Sequence, residues 1–167
     1  PYMQDTCLDK LIEWCKTNDK KFNFIVDVGA WCGTWALSMQ QFAEKIHCYE
    51  PNNIHYECLV RNISPYVNID STNQAVGNED GLVKLTKENA TQNTRVLLEK
   101  GEITINKLDH LGHRDIDFIK IDVEGLEMEV LRGAEKILEN VEYLMIELNG
   151  NSNRFGCSIN DLKEHLK

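Results

Sequence analysis

The sequence predicts a doubly wound α/β domain, with a mainly parallel sheet and helices on both faces. Three observations predict it. Strand-like and helix-like segments alternate along most of the chain; the strand-like runs are almost continuously apolar; and glycine, proline or acidic residues follow them. Continuously apolar strands belong in parallel sheets covered on both sides, joined by right-handed crossovers. A length of 167 residues suits one domain.

Leu8, Leu11, Ile12 and Cys15 recur at helical spacing, so 5–18 reads as an amphipathic helix with Asp5 or Thr6 as its N-cap. Residues 24–28 form a short β-rich run ending in a glycine loop. A helix follows, with Trp35, Met39 and Phe42 on one face. The next strand, 46–50, is stopped by Pro51. Residues 53–62 carry Ile54, Cys58 and Leu59 at helical spacing, and Val67-Asn68-Ile69 opens a third strand. The stretch 74–105 breaks the alternation. Its short strands at 75–76, 82–85 and 103–105 read as an inserted meander of low stability, with 88–102 its most mobile part. Residues 118–122 are a buried strand, and Leu126, Val130, Leu131, Ala134, Ile137 and Leu138 mark the helix behind it. A further central strand spans 143–148. The last helix begins at Ser158, with Ile159, Leu162 and Leu166 inward.

Composition narrows the function. Eighteen basic against 27 acidic residues give a net charge of −9, which excludes a long basic stripe for nucleic acid and disfavours anionic lipid. No apolar run reaches the ~20 residues of a membrane span. The six cysteines form no CxxC pair and fall in apolar patterns, so they read as reduced, packing cysteines of a cytoplasmic protein. The chain opens on Pro1 rather than methionine, and the expectation is a single domain, 1–167, cut from a longer polypeptide, with a ligand-binding core at 22–149.

In this fold class a ligand sits at the carboxyl ends of the strands. Those ends read Asp27-Val28-Gly29-Ala30-Trp31-Cys32-Gly33, then Glu50-Pro51-Asn52, then Asp122-Val123-Glu124-Gly125, then Glu147-Leu148-Asn149. Carboxylates thus converge on one rim, which suits a cationic, hydroxyl-rich ligand. The glycine spacing is DxGxxxG rather than the GxGxxG of dinucleotide sites, and Asp27 stands where a diphosphate needs positive potential. Glu50 is placed to grip two ribose hydroxyls. Each feature has a plainer reading: a tight turn at Gly29 and Gly33, a solvated strand end at Glu50, an acidic helix start at Asp122 and Glu124, and pairing of Glu147 with Lys120 or a backbone amide.

These segments, with Ala75-Val76-Gly77-Asn78-Glu79-Asp80-Gly81 and Lys120-Ile121-Asp122-Val123-Glu124-Gly125, resemble the FkbM-type family of S-adenosylmethionine-dependent methyltransferases over about 22–149. The resemblance implies a class I, Rossmann-like methyltransferase fold and O-methylation of a sugar hydroxyl in a glycan or glycoconjugate. It implies that Asp27, Gly29, Ala30, Trp31 and Gly33 hold the methionine moiety. Glu50 would bind the ribose, Pro51 and Asn52 would lie beside the adenosine, and Gln74 and Ala75 near the adenine. Asp122 and Glu124 would face the methyl group and the acceptor. Glu124 is the first choice for a general base and Asp122 the second, while Glu147, Asn149, His110 and His113 are candidate acceptor contacts. No metal is expected, since His110 and His113 sit in a polar connector.

The chain departs from the family pattern at Trp31-Cys32, where a small polar and an aliphatic residue are usual. It also stops before the hairpin of strands that closes the usual sheet. Other readings are methylation of a non-sugar small molecule, or a non-catalytic module that binds cofactor or partner beside neighbouring domains.

Overall fold

A computed structural model of the chain describes residues 6–86, 96–148 and 158–166. In chain order the elements begin with α1 (Thr6–Thr17), β1 (Phe22–Val28), α2 (Thr34–Met39), β2 (Ala43–Tyr49) and α3 (Asn53–Ile63). There follow β3 (Ile69–Thr72), β4 (Ala75–Val76), β5 (Gly81–Leu85), β6 (Val96–Lys100) and β7 (Ile103–Asn106). The remainder is β8 (Phe118–Ile121), α4 (Glu127–Arg132), α5 (Glu135–Leu138), β9 (Tyr143–Ile146) and α6 (Ile159–His165).

Strands β3-β2-β1-β8-β9 form one sheet, in that order, and every pairing in it is parallel. Two clusters of buried residues flank the sheet. Phe22 and Ile25 face Cys15 of α1, Ala36 and Met39 of α2 and Leu59 of α3. Phe24, Val26 and Val28 face Leu108, Ile116, Val130 and Leu131 on the other side. Both faces are covered, as the apolar strands require.

The meander is better built than the sequence suggests. Strands β4-β7-β5-β6 form a second, four-stranded sheet. Ala75, Val83, Val96 and Ile105 bury a small core with Leu126 beneath it. Strand β6 was missed because 88–102 is rich in polar residues. It pairs antiparallel with β5, and Val96 is the anchor that makes the pairing worthwhile. The part of that stretch before Val96 lies outside the described residues.

Smaller corrections have local causes. Ile54 is 59% exposed because α3 turns His55, Leu59 and Ile63 inward instead. Val67 is fully exposed, so β3 starts two residues later. Leu166 is exposed while Leu162 is buried. The single helix expected behind β8 is two, broken at Gly133-Ala134. A Cβ on Gly133 would lie 1.9 Å from the carbonyl oxygen of Gly77, so the backbone there packs directly on the turn after β4. No helix among the described residues is long and apolar enough to cross a membrane.

Candidate active site

The first loop and the end of β2 are tied together. The N–H groups of Gly29 and Ala30 both donate to the Tyr49 carbonyl, at 2.9 and 3.0 Å, and Gly33 N–H donates to Ala30 O. These amides are therefore spent inside the protein and do not point at a ligand. Gly29 is needed for another reason: its φ is +78°, and a Cβ there would stand 1.8 Å from Asp122 O. The loop thus seats directly on the end of β8. Trp31, at φ +51°, donates its N–H to Glu50 Oε2 at 2.9 Å.

Asp27 is not a ligand-facing acid. It is fully buried and lies opposite Lys120 in the β1–β8 register, which puts both side chains on one face. Lys120 Nζ stands 3.1 Å from Asp27 and 3.3 Å from Asp122, and it donates to Gly29 O at 3.0 Å. Burial works against the ammonium, but Asp27 and Asp122 together hold it above the usual lysine range. The repulsion of a diphosphate by a free Asp27 therefore does not operate, because that charge is already matched. Lys120 also attracts Glu147, the partner envisaged from sequence, but its ion pairs are with Asp27 and Asp122. A lysine amid Phe118-Ile119-Lys120-Ile121 was a readable sign of a buried cation.

A cavity of about 250 Å³ opens beside this hub at the strand ends. Of the residues singled out from sequence, Gly29, Trp31, Glu50, Pro51, Gln74 and Ala75 line one part of it. Asp122, Glu124 and Glu147 line another. His55 and Val96 also line it and were not foreseen. His55 had one usable signal, its place one turn into the helix that follows Glu50; Val96 had none.

Glu50 accepts from Trp31 N–H and, at 2.8 Å, from Asn52 N–H. Burial pushes its carboxyl up to about 7, against the pull of those two amides. Asn52 lies behind, capping α3 by accepting from Ile54 and His55 N–H. Gln74 is buried, and its amide nitrogen finds no hydrogen-bond partner among the described residues.

On the other wall, carboxylate oxygens of Asp122, Glu124 and Glu147 lie within 4.8 Å of one another. A hydrogen bond to Asp122, with burial adding to it, raises Glu147 to about 8. Glu147 therefore holds a proton at neutral pH, beside Asp122. The same oxygen set is of the kind that could hold a divalent cation. Glu124 sits at φ +57°, a strained setting for a residue with a side chain.

Ala30 and Gly33 are packed in the loop, Gly33 against Leu59, and do not line the cavity. His110 and His113 also stay out of it. His110 pairs with Asp80 at 2.6 Å on the surface. His113 bonds the hydroxyl of Tyr49 and lies edge-on to Phe24, at a separate polar cleft with Asn23 and Asp117. The connector 107–117 runs past the opposite ends of β1 and β8, which is why neither histidine reaches the acids. Asn149 lies outside the described residues.

The strand order, the glycine loop seated on β8 and the acids at the ends of β2, β8 and β9 define a class I methyltransferase-like α/β domain. A model of the methyltransferase FkbM domain matches residues 27–167, and the chain belongs to that family. A crystal structure of methyltransferase FkbM from Methylobacillus flagellatus is similar, with a TM-score of 0.64 and 19% identity. The likeness covers 87% of this chain and 36% of that one, so this chain spans well under half its length. A putative caffeoyl-CoA O-methyltransferase from Staphylococcus aureus is similar over 99% of this chain and 70% of its own, with a TM-score of 0.54 and 12% identity. A putative tRNA methyltransferase from Streptococcus pneumoniae, crystallised with S-adenosyl-L-methionine, is similar over 82% of this chain and 53% of its own, with a TM-score of 0.51 and 16% identity. No curated protein sequence matches the chain.

Proposed function

We propose that the domain is an S-adenosylmethionine-dependent O-methyltransferase that acts on a hydroxyl of a sugar in a glycan or glycoconjugate. One observation carries the reading: Glu50 on one wall and the Asp122–Glu124–Glu147 acids on the other face a single cavity at the sheet's carboxyl end.

The residues present fit the cofactor. Glu50 offers carboxylate oxygens for ribose hydroxyls, and the buried amide nitrogen of Gln74 lacks the acceptor that a purine nitrogen supplies. When bound, the cofactor supplies an electrophilic methyl group on a sulfonium. The chain's own residues do the rest. Pro51, Gln74 and Ala75 flank the adenosine side, and Lys120 fixes Asp122 and the Gly29 carbonyl in place. Glu124 is placed to take the proton of an acceptor hydroxyl, with Asp122 as the second choice for that role; the bound cofactor would supply the methyl group and leave as the neutral thioether. Holding donor and acceptor at near-attack distance is worth about 7–11 kcal/mol in well-aligned systems.

A neutral carbohydrate suits the acid wall better than an anionic acceptor. The net charge of −9 argues against nucleic acid as substrate. Cys15, Cys32, Cys48 and Cys58 are unbridged thiols packed in the fold, which supports a reducing, cytoplasmic setting. Neighbouring domains of a longer chain are further partners in this reading.

Incubation with the methyl donor and rhamnose-, fucose- and xylose-bearing oligosaccharides tests it. One added methyl group by mass spectrometry is the expected result. Methylation of non-sugar hydroxyls alone would move the acceptor class. Cofactor binding without transfer to any acceptor would make the domain a binding module.

A further inference from the structure

Glu50 is only 6% exposed, yet the proposed function needs both its oxygens to accept from ribose hydroxyls, and an ionised carboxylate does that far better than a protonated one. Several titratable groups surround it. Asp27 on β1 adds repulsion. Lys120 on β8 attracts, but its ammonium is divided between Asp27 and Asp122. Cys32 in the glycine loop is a neutral thiol, pushed up to about 12 by burial. The remaining group is His55 on α3. Its Nδ1 stands 3.6 Å from Glu50 Oε1, and both side chains are under 10% exposed.

Helix α3 and the glycine loop place the imidazole there. Asn52 caps α3 and accepts the backbone N–H of His55 at 3.2 Å. The ring lies edge-on to Trp31, 6.3 Å between centroids. Trp31 in turn donates its N–H to the other oxygen of Glu50. One short circuit thus links loop, carboxylate and helix.

We infer that His55 is a positioning residue for cofactor binding: it carries the proton of the His55–Glu50 pair and so keeps Glu50 ionised for the ribose. Burial, opposed by two backbone N–H groups and Lys120, leaves that carboxyl pushed up to about 7, so a cation beside it is what holds it ionised at neutral pH. Acid adds a proton to the carboxylate as well, so cofactor affinity falls as the medium acidifies.

The inference rests on the cofactor reading, and two measurements on the full chain separate them. Proton–carbon NMR of the His55 ring follows its titration without any ligand. Glu50→Gln should move the midpoint to lower pH; an unmoved midpoint overturns the pairing. Calorimetry with S-adenosylhomocysteine, which has no charge on sulfur, reads the consequence. His55→Gln should weaken binding at pH 7 at least about fivefold and shift the acidic fall in affinity to higher pH, while His55→Lys should recover most of the loss. Wild-type affinity and an unshifted pH profile in His55→Gln overturn the inference. A domain whose histidine titration does depend on Glu50 but which binds no S-adenosylhomocysteine refutes the cofactor reading and leaves the pair standing.

Discussion

The two walls of the cavity hold their acids in opposite ways. At the end of β2, Glu50 is gripped by two backbone N–H groups and faces an imidazole. At the ends of β8 and β9, Asp122, Glu124 and Glu147 crowd together, and the nearby cation, Lys120, is shared between Asp122 and the buried Asp27. The first arrangement gathers donors around a single carboxylate that binds. The second keeps a proton in play, which is what a wall that must accept one from a substrate requires. Fold alone does not dictate this asymmetry; it comes from which strand positions carry lysine and histidine.

The largest effect is expected at the hub between the walls. Lys120→Met should cost about 3–5 kcal/mol of stability in urea unfolding, because it strands a fully buried Asp27. Adding Asp27→Leu should return much of that loss, since two apolar groups replace the buried pair. If the single substitution is nearly neutral, Lys120 does not neutralise Asp27, and the contrast between the walls loses its cause.

Glu50→Ala sharpens the binding side. Each charge-assisted bond to a ribose hydroxyl is worth about 1.5–3 kcal/mol, so S-adenosylhomocysteine affinity should fall at least about tenfold by calorimetry. Unaltered affinity would remove Glu50 from the ribose. Glu124→Gln tests the other side. Turnover on a methylated acceptor should drop at least about tenfold with cofactor affinity retained; unchanged turnover would pass the base role to Asp122 or Glu147.

Much of this was legible in sequence, for physical reasons that differ by element. Strands such as 118–122 declare themselves because burial on both faces demands an unbroken apolar run. Glu50, Asp122, Glu124 and Glu147 stand out because strand ends are where such sheets bind ligands, and all four line the cavity there. Asp27 was misread: a strand-terminal acid looks available until the register places Lys120 beside it. Sequence order does not show that pairing, since 93 residues separate them. Strand β6 was hidden by its polar neighbours, and His110 and His113 looked functional because spacing in a loop says nothing of which end of the sheet the loop visits.

The smallest effect isolates the proton on Glu147. Folded Glu147 keeps its proton to about pH 8, held by Asp122, whereas in the unfolded chain it ionises near the ordinary 4.5. Between those values the folded state binds more protons, so stability falls as pH rises through the window. The contribution is full below about pH 4.5 and gone above about 8. Glu50 has the same sign but its share ends near 7, so the interval from 7 to 8 separates the two. Thermal melts of the wild type should keep declining there, and those of Glu147→Gln should flatten. Equal slopes in both proteins would mean that Asp122 and Glu147 ionise independently, and the transfer wall would then be no different in kind from the binding wall.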